Sequence, residues 1–316
     1  MHAYQIVGRE KMATETSRNP CPVTDINGLP ENCIANVLSL TNPPETCRLS
    51  LVASTFRSAA DSDSVWETFL PSDYQDLIGR ASDSSRPVFA SKKELYLRLS
   101  NHPLIIDGGT KSFSLEKWSG KKCFMLAARY LTIVWGDTPR YWKWTSLPES
   151  RFTEVAELVD VCWLEIRGKI HTQMLSPATT YAAYLVFKWA TTVYGFGHRS
   201  AEGWVRISGS EGESRSLYLD PDGWQWPRTQ IVPRRMGFFN RRPANMVRPL
   251  AAMLRQSNDQ CPKERGDGWF EMELGEHLNK SGEDGELEIC LQEVKGGNWK
   301  SGLILQGIEL RPKNSK

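Results

Sequence analysis

Residues Leu131–Trp144 read LTIVWGDTPRYWKW, three tryptophans and a tyrosine around a Gly-Asp-Thr-Pro turn within fourteen residues. In an extended chain alternate side chains share a face, so Trp142 and Trp144 point one way and Tyr141 and Lys143 the other. Trp135 ends the preceding apolar run and Asp137 to Pro139 turn the chain, which predicts Trp135 beside Trp142 across a hairpin-like corner. Flat rings gathered at a turn are either core packing or a stacking platform for a ligand. The residues alone leave both open.

The same two-residue period recurs after Gly109. CFMLAARYLTIVW, VAELVDVCWLEIRGKIHT, TYAAYLVFKWA, GWFEMELGEH, GELEICLQEV and GLILQGIELRP are short, partly alternating, rich in β-branched and aromatic residues, and separated by Gly, Pro, Asp or Asn. Six or more strands with no helix between them predict an antiparallel β-sandwich. Their spacing is too irregular for a propeller.

Before Gly109 the period is helical. In GLPENCIANVLSL the apolar Leu29, Ile34, Val37 and Leu38 recur at helical spacing after Pro30, which suits a first turn. TNPPETCRLSLVASTFRSAADSD predicts a second helix opened by Asn42 and two prolines, and VWETFL a third. Three short helices make a marginal core by themselves, so an apolar face left over would want a partner. Residues 72–108 read as a helical connector with a Ser-rich loop. Leu95, Leu97 and Leu99 are too apolar for a free linker.

Composition narrows the function classes. A formal net charge of +2 over 316 residues gives no global case for nucleic acid or a membrane surface. No apolar run approaches the ~18 to 20 residues that span a bilayer, and the polar N-terminus lacks a signal-peptide core, so residues 1–24 read as a disordered tail. The seven cysteines are scattered without a Cys-x-x-Cys pair, which predicts free thiols in a reducing compartment. None of the five histidines has ligand spacing to a cysteine, so no metal or other cofactor is expected. No nucleophile elbow, zinc-protease helix, phosphate loop or dinucleotide turn occurs, and no catalytic residue is assigned. The stretch from Gly223 to Asn258 carries seven arginines and no acid. It could meet RNA, an acidic or phosphorylated client or an import receptor, or be a solvated loop whose arginines pair with acids elsewhere. Nucleic acid is not the expected partner.

The Leu29-Pro30 start, the Pro43-Pro44 opening of the second helix, the run LVASTFRSAADSDSVWE and Trp66 resemble an F-box over residues 25–71. The resemblance implies binding to a Skp1-like protein, and through it a cullin, in an SCF-type ubiquitin ligase that uses the chain as its substrate-choosing subunit. The Skp1-facing residues it implies are Leu29, Pro30, Ile34, Leu49, Val52 and Trp66.

KSFSLEKWSGKKCFMLAARYLTIVWGDTPRYWKW, EVAELVDVCWLEIRGKI, TTYAAYLVFKW, KERGDGWFEMELGEHL, GEDGELEICLQEV and NWKSGLILQGIELRP resemble the plant phloem protein 2 family of Nictaba-type lectins. With the F-box, the chain is similar to the F-box/PP2-B subgroup over nearly its whole length. This implies a mainly β fold with an N-terminal α module: the F-box helices, the connector, and a jelly-roll-like antiparallel sandwich over residues 109–316 with an Arg-rich insertion at about 195–265. It further implies a nuclear and cytoplasmic protein that binds GlcNAc-containing or N-glycan oligosaccharides on a client. The implied sugar contacts are Trp135, Trp142, Glu286 and Glu293. The two glutamates have opposite parity, so both reach one sugar only through a bulge or a strand end. Glu286, at the turn GEDGE, is the better placed.

Overall fold

The structure, a computed structural model, describes residues 29–82, 86–197, 199–220, 261–282 and 284–313. The predicted tail and all seven arginines of the Arg-rich stretch lie outside the described residues.

The N-terminal module has four short helices where the periodicity predicts three: α1 (Glu31–Ser39), α2 (Pro43–Leu49), α3 (Ser54–Asp61) and α4 (Asp63–Phe69). The second predicted helix divides because Ser50 turns its hydroxyl back onto the Cys47 carbonyl (2.7 Å) and Ala53 is extended, which starts α3 afresh. Asn42 caps α2 by accepting the Glu45 N–H at 2.9 Å, ahead of prolines that need no donor. Leu38, Phe56, Val65 and Trp66 form the module's inside. The Trp66 indole donates to the Ala60 carbonyl at 2.6 Å, and its ring meets Phe69 edge-on at 5.7 Å.

Two further helices follow, α5 (Tyr74–Gly79) and α6 (Lys92–Asn101). Ser91 accepts the Glu94 N–H (3.2 Å) while the Glu94 carboxylate accepts the Ala90 N–H (2.8 Å), a reciprocal cap that fixes where α6 begins. No helix among the described residues is long and apolar enough to cross a membrane.

The strands are β1 (Leu104–Ile106), β2 (Lys111–Leu115), β3 (Lys122–Ala127), β4 (Thr132–Ile133), β5 (Trp142–Thr145), β6 (Val155–Leu158), β7 (Leu164–His171), β8 (Thr179–Tyr194), β9 (Ala201–Ile207), β10 (Arg215–Leu217), β11 (Lys263–Glu264), β12 (Phe270–Asn279), β13 (Glu286–Glu293) and β14 (Ser301–Pro312). One sheet runs β1-β2-β3-β14-β8-β12-β11, with β6 also on β14 and β5 on β6; the other runs β10-β9-β13-β7-β4. Every strand pairing among the described residues is antiparallel. The fold is mainly β with a helical N-terminal module, as the change of period implies. Two segments depart from the expectation. VAELVDVCWLEIRGKIHT splits into β6 and β7, one in each sheet, pivoting where Val161 bridges Lys300. Residues 201–217, expected within an insertion, supply β9 and β10, and β9 pairs directly with β13.

Leu164, Ile166 and Ile170 of β7 and Leu287, Ile289 and Leu291 of β13 face the larger sheet and are buried. Gly168 lies between them, where an added Cβ would stand 3.0 Å from Leu131 and 3.1 Å from Leu126, so the missing side chain lets the sheets close.

The helices and the sandwich share one buried apolar cluster, running from Ile34 through Tyr96 and Phe113 to Leu310. Tyr96 on α6 donates to the Glu116 and Lys117 carbonyls (3.3 and 3.2 Å), Lys122 reaches Asp73 at 2.9 Å, and Arg80 holds Asp107 at 2.6 Å. Gly120, at φ +70°, passes so close to the end of α4 that a Cβ would lie 2.4 Å from the Phe69 carbonyl oxygen.

Candidate functional site

The aromatic turn divides into an outer and an inner pair of rings. Trp135 is 42% exposed and holds φ at +59°, a left-handed conformation rare for a bulky residue and worth ~1–3 kcal/mol of strain. Its ring lies against Tyr141, centroids 5.1 Å apart at 35°. Trp142 and Trp144 point the opposite way from Tyr141, as their parity requires. Trp142 is 2% exposed and donates its indole N–H to the Val134 carbonyl (3.2 Å); Trp144 donates to Gly136 (3.0 Å). The two inner indoles thus hold the residues on either side of Trp135. The Arg129 guanidinium covers Trp144 at 3.7 Å and is itself held by Glu154 at 2.8 Å. Trp142, a ligand candidate in the sequence, has no face open to a ligand. It props the ring that does, and Tyr141 takes the outer place beside Trp135.

The two glutamates are not brought together. They stand at opposite ends of β13, paired without a bulge to His171 and Leu164 of β7, so seven steps of strand put them about 23 Å apart. Glu286 is half-exposed and 2.7 Å from Lys169, which also holds Glu288 at 2.9 Å; these two hydrogen bonds raise the Lys169 pKa. Glu293 shares the inward parity of Leu291 and is buried. It pairs with buried Lys300, whose ammonium burial pushes below its ordinary pKa; beyond that ion pair, neither Glu293 oxygen has a hydrogen-bond partner in the described residues.

Beside the turn, the Val134 N–H donates to the Glu165 carbonyl at 3.1 Å, and the Glu165 carboxylate accepts from the Trp163 indole (2.9 Å) and from Arg167 (2.6 Å). Trp163, Val159, Tyr194 and Trp299 are all exposed. Tyr194 donates to Asp160, and burial together with that carboxylate pushes the phenol up to about 12. Neither Trp163 nor Tyr141 is among the sugar contacts that the sequence implies. The alternation in VCWLEIR, which sets Trp163, Glu165 and Arg167 on one face, is the signal that could have found the first.

The helical module presents a different surface. Leu29 and Pro30 are exposed, Val52 is 67% exposed and Leu49 is partly accessible. Ile34 and Trp66 are buried at 1% and 0% and belong to the core. In their place Val37, Leu40 (86% exposed) and Leu51 (77%) face outward. Val37 flanks the buried stripe of Ile34 and Leu38 and Leu40 is the C-cap, so the exposed aliphatics gather at the C-terminal end of α1.

Comparison with known proteins supplies the context. The phloem protein 2 family profile matches residues 121–312 and the F-box domain profile residues 26–68. The chain is 45% identical over 91% of its length to the Arabidopsis thaliana F-box protein At2g02240, covering 80% of that protein. It is 42% identical to F-box protein PP2-B1 of the same plant (92% of this chain, 90% of that one) and 44% identical to F-box protein PP2-B10 (90% and 93%).

Proposed function

Because the chain belongs to the plant F-box proteins of the PP2-B type, an F-box joined to a lectin-like domain, we propose that it is the substrate-recognition subunit of an SCF-type E3 ubiquitin ligase. In this reading a Skp1-like protein covers Leu29, Pro30, Val37, Leu40, Leu51 and Val52, and the sandwich selects a client by a GlcNAc-type or N-glycan oligosaccharide stacked on Trp135. The observation that carries it is the pairing of surfaces: exposed aliphatics on the helices and an outward ring held in a strained turn on the sandwich.

The chemistry supports this division. Aliphatic side chains recover free energy by losing water against any complementary apolar surface, at roughly 25 cal/mol per Å2. An indole face offers a flat apolar patch of the kind a pyranose presents through its C–H groups, and holding it fixed lowers the ordering cost of binding. The chain contributes proximity and orientation, and the bond to ubiquitin is made by an enzyme in trans. The proposed setting is nucleus and cytoplasm.

Co-expression with a plant Skp1 protein tests the first half: Val52→Asp should lose co-purification while folding normally, and unchanged co-purification overturns the assignment. A glycan array with the full chain tests the second, binding being expected to vanish in Trp135→Ala. A protein-only client receptor is the alternative, favoured by the burial of Trp142 and the capture of Glu293 by Lys300. It predicts a blank array and intact client binding in Trp135→Ala.

A further inference from the structure

We propose that the outer face of the five-stranded sheet next to the aromatic turn is an extension subsite that takes a further ring of an uncharged oligosaccharide whose first ring lies on Trp135. The inference rests on the sugar-binding half of the proposed function and adds a second set of contacts: Trp163, Glu165, Gln292 and Glu202.

The backbone brings these residues together. Val134, next to Trp135, is hydrogen-bonded to Glu165 of β7 at 3.1 Å. Glu165 is in register with Gln292 of β13, and Gln292 with Glu202 of β9, so the three form a row across adjacent strands about 10 Å long. All three are partly exposed and point away from the buried residues that alternate with them. Trp163 lies two residues before Glu165, just outside β7, and its indole reaches the Glu165 carboxylate. The row therefore begins at the aromatic turn and is flanked by a second exposed indole.

The side chains are set before any ligand arrives. The Trp163 N–H donates to Glu165 Oε2 at 2.9 Å, which fixes the ring while leaving the residue exposed. The Gln292 amide donates to Glu202 Oε2 at 3.1 Å. A stacking face beside an ordered amide and two carboxylates matches a sugar ring, whose C–H groups need the first and whose hydroxyls need the others.

The charge pattern selects the ligand class. Glu165 is paired with Arg167, and Glu202 with Lys295. Each acid of the row is neutralised by its own cation, so the row itself offers no cationic excess to a polyphosphate or nucleic acid. Addition of a peptide strand would need a free edge, whereas β7 is flanked by β13 on one side and by Thr132 to Val134 on the other. Paired polar groups with exposed indoles suit an uncharged, polyhydroxylated chain.

Calorimetric titration of the full chain with GlcNAc and its β1,4-linked dimer, trimer and tetramer tests this. Wild type should bind more tightly with each ring until the subsite is filled. Trp163→Ala should weaken the trimer and tetramer about tenfold and leave GlcNAc itself unchanged, a tenfold change being 1.4 kcal/mol. Trp163→Tyr, which keeps a ring, should restore most of the gain. Gln292→Ala, on the outer face, should give a loss of about threefold and serves if Trp163→Ala does not fold. Retained length dependence in folded Trp163→Ala, or in Gln292→Ala where that variant must serve, overturns the subsite while the sugar reading stands. Failure of wild type to bind any oligomer overturns both.

Discussion

The helical module and the turn end of the sandwich expose opposite kinds of side chain. The helices keep Trp66 and Tyr96 inside and turn Val37, Leu40, Leu51 and Val52 out; at the turn, Leu131, Leu164 and Ile166 are inside while Trp135, Trp163 and Trp299 are out. Exposed aliphatics on short helices have no preferred approach direction and are silenced by any well-fitting apolar partner. Exposed indoles present a flat face, and where one is fixed, as Trp163 is by Glu165 and Trp135 is by its turn and by Tyr141, that face keeps one orientation and rewards a flat ligand. One chain thus carries one exposed surface that is aliphatic and another that is aromatic, which is the division the proposed function uses.

Four measurements test that contrast. The largest effect is expected for the buried rings: Trp66→Ala and Trp142→Ala should each cost about 3–5 kcal/mol in denaturant unfolding, and exposed Trp135→Ala less than about 0.5. Equal losses for all three would erase the distinction between inner and outer rings. Next, Gly120→Ala places a methyl against the Phe69 carbonyl at a positive φ and should cost about 2 kcal/mol. Helical and β probes should then shift together, since both elements line one core. Third, Val52→Asp should reduce Skp1 affinity at least tenfold, about 1.4 kcal/mol, with the unfolding midpoint unmoved; a shifted midpoint would make Val52 a core residue.

The smallest effect concerns the seam between the two regions. The hydrogen bond from Arg80, and then that from Lys111, hold the Asp107 carboxyl below its ordinary pKa against the opposing effect of burial. A carboxylate depressed in the folded state contributes stability that is present above its unfolded value of about 3.9 and is lost as pH falls through the lower folded value. Wild type should therefore show a small extra loss below about pH 4 that Asp107→Asn lacks. Identical acid limbs would remove the pair from the account of the seam.

Much of this was legible in the chain. The two-residue period marked the strands, and the parity of Trp142 and Trp144 put both indoles on one side of β5. The inward parity of Glu293 was also present, since ELEICLQE sets it in line with Leu287, Ile289 and Leu291. What parity lacks is the choice of face. Trp142 is buried because β5 pairs with neighbouring β6, which then pairs with β14, the last a contact made across more than a hundred residues. On the helices, the apolar pattern counted Ile34, Val37 and Leu38 together, and only packing against α3 and α4 separates the buried from the exposed. The break at Ser50 was hidden because its neighbours are good helix formers. The place of β9 was hidden because its register partners lie in β13, beyond the Arg-rich stretch.

The seam at Gly120, Tyr96 and Asp107 packs the helices directly onto the sandwich, and this has a mechanical consequence. In the proposed function, a cargo gripped at the aromatic turn would be held like a tool on a stiff arm, its bearing toward the rest of the ligase set by this chain. The search for an acceptor lysine would then fall to the cargo's own slack, the length and suppleness of the tether between its gripped sugar and its lysines. Compact cargo with a short glycan stem would be tagged at few positions, and a long flexible one at many.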